Sequence, residues 1–133
     1  MDFTTPKPAE SRSLIAGYLR VSWSLVGIDP AQIQLQSVLD FVGSEALDRI
    51  VAGILNKNYR RILIDLEKLD RMTTAGADGL LKAATEIRRR SGRVALVGPN
   101  PRVLSFIENL GLARQIEVYS TAEEAVRGIE AEL

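Results

Sequence analysis

The 133-residue sequence contains neither cysteine nor histidine. A chain without cysteine has no disulfide, no thiolate metal site and no cysteine nucleophile. A chain without histidine lacks both the commonest metal ligand and the commonest general base at neutral pH. These two absences exclude most hydrolase and metalloenzyme mechanisms.

The sequence also has no excess of one charge and no long apolar run. The 17 Lys and Arg residues equal the 17 Asp and Glu residues, so no overall field attracts nucleic acid or an anionic membrane. Arg20 interrupts the first apolar stretch long before the ~18 residues that a membrane span requires, and the first residues lack the pattern of a secretory signal. We therefore expect a cytoplasmic protein without nucleic-acid binding or direct membrane insertion.

The residues that are present indicate one soluble globular domain. Apolar residues make up 46% and charged residues 26% of the chain, and a chain of this length buries one core. Residues 1–12 are mainly polar residues and proline, which predicts a flexible N-terminal tail. Residues 13–133 are predicted to form the domain.

Alternation of apolar and polar residues predicts two strands early in the domain. Val21, Trp23 and Leu25 alternate with polar neighbours, and Ile33 and Leu35 do so after a turn-rich segment at 27–30. A period of two is typical of strands that bury one face. We expect these strands to form an antiparallel hairpin, with Trp23 in the core.

After residue 40 the pattern predicts helices that alternate with short buried strands. Apolar residues recur at helical spacing from 47 to 55 and from 77 to 87, and Ser44 and Ser120 are the predicted caps of the first and last helices. The element order is ββαβαβαβα. It predicts an α/β fold with a mixed sheet of about five strands, a parallel core and an antiparallel N-terminal hairpin, packed by about four helices.

Two hydroxyls, Thr73 and Thr74, lie where a strand-to-helix corner is predicted. Ligands gather at such corners in parallel sheets. In one interpretation, one of the two threonines is only the helix cap. Alternatively, a hydroxyl here is a phosphoacceptor, since a kinase supplies the activation that no histidine can provide. The spacing fits neither a phosphate-binding loop nor a serine-hydrolase elbow.

The segment from Arg60 to Val126 resembles the STAS domain, and in particular bacterial anti-sigma-factor antagonists. It combines a strand ending in Asp-Leu, the threonine corner, "GPNP" after the next strand, a Leu-Gly-Leu turn and a final strand followed by "STAEEAV". The resemblance covers about residues 33–127. It implies the STAS fold and a partner that is an anti-sigma factor and serine-protein kinase, whose capture releases a sigma factor. It also implies that the protein is not an enzyme and uses no metal, no other cofactor and no small-molecule substrate.

The resemblance also assigns candidate roles at the corner. Thr73, Thr74, Ala75 and Gly76 stand at the family's Asp-Ser-Ser-Gly, whose second serine is the usual phosphorylation site. That position is Ala75 here, and alanine has no hydroxyl. The candidate phosphorylation sites are therefore Thr74 and Thr73, and the alternative is a protein without a phosphorylation switch.

The predicted partner-binding surface extends around this corner. Its residues are Asp40, Thr73, Thr74, Ala75, Gly76, Asp78 and Gly79. Asp40 is alternatively an exposed turn residue, and Gly79 inside a helix indicates close packing or the approach of a partner. The stretch "TTAGADGLL" also resembles the STAS subunit of phospholipid-transporting ABC systems, which implies contact with an ATPase as a second hypothesis.

Two further features have simpler interpretations. Asp65, Asp70 and Asp78 lie near one predicted loop, and carboxylates in such a loop are potential Mg²⁺ ligands, but their spacing defines no site. The arginines at 88–93 are typical of a solvated helix end, because no aromatic residues are interleaved with them as in nucleic-acid-binding surfaces.

Overall fold

The structure is a computed structural model that describes residues 10–25 and 30–130. These residues form one mixed sheet and four α-helices, with a short 3-10 turn at Leu112–Arg114. The strands are β1 (Glu10–Ala16), β2 (Leu19–Leu25), β3 (Ala31–Leu39), β4 (Arg61–Asp65), β5 (Leu69–Met72), β6 (Arg93–Val97) and β7 (Glu117–Tyr119). The helices are α1 (Phe41–Asn56), α2 (Thr74–Arg89), α3 (Pro101–Asn109) and α4 (Ala122–Glu130).

The sheet has the order β1-β2-β3-β4-β6-β7, and β5 pairs with β3. The pairs β1–β2 and β2–β3 are antiparallel, and all other pairs are parallel. Strand β3 pairs with β4 over its first half and with β5 over its second half. The register of the β3–β5 pair shifts between Ser37 and Val38, and the φ of Ser37 is 75°. The predicted mixed sheet and the β2–β3 hairpin are confirmed, with Trp23 opposite Ile33.

The predicted number of about five strands is too low, since the described residues contain seven. Strand β5 has four residues and exposes its two middle ones, so it has the sequence pattern of a charged loop. Strand β1 is an edge strand with mostly exposed side chains, and it begins at Glu10, inside the predicted tail. Residues 1–9 of that tail, and residues 26–29 of the predicted turn, lie outside the described residues.

The central parallel strands β4 and β6 are buried on both faces. Helices α1 and α2 pack side by side over the larger core, which includes the fully buried Ile33, Leu47 and Leu80. Helix α4 covers Leu63 and neighbouring residues on the other face. Burial on both faces explains the continuous apolar runs of β4 and β6. Trp23 is half-buried against the larger core, as its alternating strand predicts.

Two helix caps differ from the predicted ones by one to four residues. Helix α1 is capped by Asp40, whereas Ser44 is buried in the first turn and donates a hydrogen bond to the carbonyl of Phe41 at 2.7 Å. Helix α4 is capped by Thr121, whose Oγ1 accepts from the amide of Glu124 at 3.2 Å, and not by Ser120. In both places two nearby polar residues are suitable caps by type, and the helix register decides between them.

Helices α1 and α2 approach each other so closely that Gly79 has no room for a side chain. A Cβ at Gly79 would lie 2.1 Å from Ser44 Cβ and 2.5 Å from Ser44 Oγ. Of the two explanations that the sequence leaves open for this glycine, the structure supports close packing. The contact fixes the distance between the two helices whose first turns form the corner.

Replacement of Gly79 by alanine tests this contact. Gly79→Ala is expected to lower the free energy of unfolding by about 1–3 kcal/mol, because overpacking outweighs the gain in helix propensity. Gly53→Ala in α1 is the matched control, since nothing lies within 4 Å of a Cβ there, and it should raise the free energy by up to ~1 kcal/mol. Urea denaturation measures both, and shifts of the same sign would contradict the packing.

Candidate functional site

The corner between β5 and α2 is built on the end of β3. The amide of Thr73 donates to the carbonyl of Leu39 at 2.9 Å, and Thr73 Oγ1 accepts from the amide of Gly76 at 3.0 Å. The second bond makes Thr73 the N-cap of α2. Its hydroxyl oxygen is therefore engaged within the chain, although the residue itself lies at the surface.

Thr74 has a different environment from its neighbour. It is the first residue of α2, its side chain is exposed, and no described residue hydrogen-bonds to its hydroxyl. The first turn of α2 contains no acidic residue, so nothing there offsets the positive end of the helix dipole. Thr74 thus presents a free alcohol to solvent at an electropositive helix tip.

Two of the predicted site residues support the corner from inside. Gly76 is buried, and a Cβ at this position would lie 2.0 Å from the carbonyl oxygen of Leu39. Only glycine therefore allows α2 to begin against the end of β3. Together with Gly79 beneath Ser44, Gly76 shapes the surface and offers no side chain to a partner.

Ala75 and Asp78 are exposed on the next part of α2. Both line a groove of about 520 Å³ between α1 and α2, which we call the α1–α2 groove, and Phe41 and Lys82 also line it. Asp78 follows Thr74 by four residues, so the two side chains are neighbours on one helix face. The groove is therefore continuous with the hydroxyl corner.

Asp40 is a structural residue of the same surface, not a free turn aspartate. It is half-buried, and its Oδ1 accepts from the amide of Gly43 at 2.8 Å as the N-cap of α1. The turn between β1 and β2 packs against it, because a Cβ at Gly17 would lie 3.0 Å from Asp40 Oδ2. Asp40 therefore holds this turn beside the start of α1.

The structure adds an apolar rim that the sequence analysis missed. We define the apolar rim as Tyr18, Phe41 and Val42, which are 78%, 60% and 50% exposed. Tyr18 follows Gly17 in the turn, and the other two residues open α1 directly after its cap. The sequence signal for this rim is a large apolar residue in a turn or in the first turn of a helix, at a position outside the stripe of apolar residues that faces the core. Exposed aromatic residues are typical anchors of protein interfaces.

The three aspartates considered for Mg²⁺ lie in different places. Asp65 accepts from the amide of Glu67 at 2.9 Å, Asp70 lies beside Arg71, and Asp78 lines the α1–α2 groove. Among residues 10–25 and 30–130, no group of three or more Asp or Glu residues could hold a metal ion. Over the same residues, no helix has both the length and the apolar character needed to cross a membrane.

The arginines at the end of α2 bond to the chain itself. Arg88 donates to the carbonyl of Gln115, Arg89 donates to Glu86 at 2.7 and 2.9 Å, and Arg90 donates to Asn56 at 3.1 Å. The hydrogen bond from Arg89 lowers the pKa of Glu86. The cluster thus joins α2 to its neighbours at the end opposite the threonine corner.

With this geometry established, comparison with known proteins identifies the family. The model of the STAS domain matches residues 22–125. The chain belongs to the STAS domain family. This match covers the corner, both helices beside it, strands β3 to β7 and the part of β2 from Ser22 onward.

The most informative STAS relatives are named after one function. BtrV of Bordetella bronchiseptica, a candidate anti-sigma factor antagonist by its name, is 28% identical over 99 residues, which are 74% of this chain and 85% of BtrV. A TM1081 homolog of Thermotoga neapolitana, named in the same way, is 32% identical over 79 residues, which are 57% of this chain and 67% of that protein.

A solved structure shows the same fold. The anti-sigma factor antagonist SpoIIAA in its unphosphorylated form superposes with a TM-score of 0.70 at 24% identity, covering 85% of this chain and 98% of SpoIIAA. The mixed sheet with four helices is thus the STAS fold that the sequence predicts.

The two threonines should differ in their effect on stability. Thr73→Val removes the cap oxygen while keeping the side-chain shape, and it is expected to lower the free energy of unfolding by about 0.5–2 kcal/mol. Thr74→Val should change the free energy of unfolding by less than about 0.5 kcal/mol, because the hydroxyl that it removes is exposed to solvent and makes no hydrogen bond to a described residue. Urea denaturation measures both variants, and Thr73→Ser should restore stability. A larger loss from Thr74→Val would reverse the assignment.

Proposed function

We propose that the protein is an anti-sigma-factor antagonist, which binds an anti-sigma factor of the serine-kinase type and thereby releases a sigma factor. The observation that carries this proposal is the exposed hydroxyl of Thr74 at the start of α2, next to an apolar rim. The names of BtrV and of the TM1081 homolog support the same role. A protein that acts on a sigma factor's regulator works in the cytoplasm.

The proposed contact surface divides the predicted residues into two groups. Thr74, Ala75 and Asp78 are exposed and would touch the partner, together with the apolar rim. The remaining predicted residues position this surface from beneath or behind, and they are Asp40, Thr73, Gly76 and Gly79. Aromatic anchors beside a polar contact are the usual composition of a binding hot spot.

Phosphorylation at Thr74 would act on the partner and not on the fold. A phosphate adds about −1.5 to −2 charges, and the start of α2 stabilises an anion by about 0.3–1 kcal/mol. Asp78, four residues later, opposes it by about 0.2–0.5 kcal/mol. Because these effects nearly cancel, the helix should keep its structure, and the added charge would face the partner directly.

The same hydroxyl is proposed as an acceptor and not as a reagent. No described residue hydrogen-bonds to it, so no side chain among the described residues is in position to remove its proton. A kinase provides its own base and its own phosphoryl donor. The proposed activity is therefore binding, and the chemistry belongs to the partner.

Phosphate transfer gives a direct test of the acceptor. After incubation with the cognate anti-sigma-factor kinase and ATP, mass spectrometry of peptides is expected to locate one phosphate on Thr74 and none on Thr73, whose oxygen caps α2. Thr74→Val should remove the modification. Phosphate on Thr73 would contradict the assignment, and an unmodified protein that still binds the kinase would show that the switch is absent.

Binding measurements test the surface itself. Phe41→Ala is expected to weaken binding to the anti-sigma factor about tenfold or more, as loss of an aromatic anchor does. Leu110→Ala is the matched control, because Leu110 is an exposed apolar residue, 42% accessible, at the end of α3. Thr74→Glu should weaken binding by a similar factor through its charge, whereas Thr74→Val should not. Isothermal titration calorimetry measures all four variants, and equal effects of Phe41→Ala and Leu110→Ala would place the interface elsewhere.

A pull-down from the native host separates the proposal from the ABC-system alternative. The tagged protein should recover an anti-sigma factor, and recovery should fall with Phe41→Ala. Recovery of an ABC ATPase without an anti-sigma factor would instead support the resemblance of "TTAGADGLL" to the phospholipid-transporting subunit.

A further inference from the structure

A second groove lies on the other side of α1, between this helix and the edge strand β1. It has a volume of about 610 Å³, and we call it the β1–α1 groove. Leu14, Trp23, Ile50 and Ile54 contribute to its apolar lining. Leu14 remains 36% exposed on the edge strand. The groove is open along its length, in contrast to the enclosed pockets that bury small ligands.

The charged residues of the β1–α1 groove all have one sign. Arg12 on β1, Arg49 on α1 and Lys57 at the end of α1 line it, whereas no Asp or Glu among the described residues does. The chain as a whole carries equal numbers of acidic and basic residues. Arg12 and Arg49 therefore give the groove a positive surface on a protein that is neutral as a whole, and this surface complements an occupant with acidic groups around an apolar centre.

Gly53 is the third unusual feature of this groove. It lies within α1, and nothing is found within 4 Å of a Cβ placed on it. Glycine in a helix interior lowers helix stability relative to alanine, and here no close packing explains it, in contrast to Gly76 and Gly79. Because Gly53 has no side chain, it leaves the middle of the groove deeper.

We propose that the β1–α1 groove is a docking site for an acidic amphipathic helix of a partner protein. The groove follows α1 from Ala46 to Lys57, a length of about 16 Å at the helical rise. This length accommodates about three turns of a second helix, with apolar anchors at i, i+4 and i+7. The site lies on the other side of α1 from the Thr74 surface, with Arg49 lining both grooves, and it does not depend on the proposed antagonist function.

The probe is a designed helical peptide of about fourteen residues, with leucines at i, i+4 and i+7 and glutamates on both flanks. Trp23, the only tryptophan of the chain, lines the groove, so its fluorescence emission reports occupancy. The full-length protein is expected to give a saturable blue shift with this peptide. A matched peptide with lysines in place of the glutamates should give none.

Variants in the groove connect the signal to the site. Gly53→Leu fills the middle of the groove and should weaken binding at least tenfold, while Gly53→Ala, which is expected to fold at least as stably as the natural chain, should weaken it less. Arg12→Glu should also weaken the acidic peptide and give measurable binding of the lysine peptide. Ser105→Leu, an exposed position on α3, is the control that should leave both unchanged.

Several results would overturn the proposal. These are no saturable shift with the acidic peptide, equal binding of both peptides, or full affinity in correctly folded Gly53→Leu. A dimer at the working concentration that dissociates in Gly53→Leu would make a second copy the occupant. Loss of anti-sigma-factor binding with peptide binding retained would contradict only the proposed function.

Discussion

The end of strand β3 is the constraint on which the candidate site depends. The carbonyl of Leu39 accepts from the amide of Thr73 and faces the position where Gly76 has no side chain. The next residue, Asp40, caps α1. One strand end thus fixes the first turns of both α1 and α2, and it does so through backbone contacts that tolerate no Cβ at Gly76. The separation of the two threonines into a cap and a free alcohol follows from this geometry.

The glycines of α1 and α2 occur in two opposite environments, one without space for a side chain and one with open space. Gly76 and Gly79 lie where a neighbouring backbone or side chain leaves no space, and substitution there would push elements apart. Gly53 lies where space is left open. Both kinds occur on α1 and α2, which line the two grooves beside α1, so tight packing and open concave surface lie close together in this part of the fold.

Sequence patterns predicted the elements whose burial is regular and missed those whose burial is not. The apolar runs of β4 and β6 and the helical periodicity of α1 and α2 follow directly from their packing. Strand β5 is not predicted by the sequence pattern because its two middle residues are exposed. Strand β1 is not predicted because it lies at the edge of the sheet and most of its side chains are exposed. Either Thr73 or Thr74 is a suitable cap by type, so only the register of α2 distinguishes them. The exposed positions of Tyr18 and Phe41 were not predicted because aromatic residues at a surface follow no periodic pattern.

The central claim is that the Thr74 side chain is free in the isolated protein and covered by the anti-sigma factor in the complex. Because the chain has no cysteine, Thr74→Cys creates a unique thiol whose alkylation rate by a maleimide reports its accessibility. The rate is expected to be high in the free protein and to fall at least tenfold in the complex, while the thiol of Ser105→Cys stays reactive in both. An equal rate for Thr74→Cys with and without the partner would contradict the account.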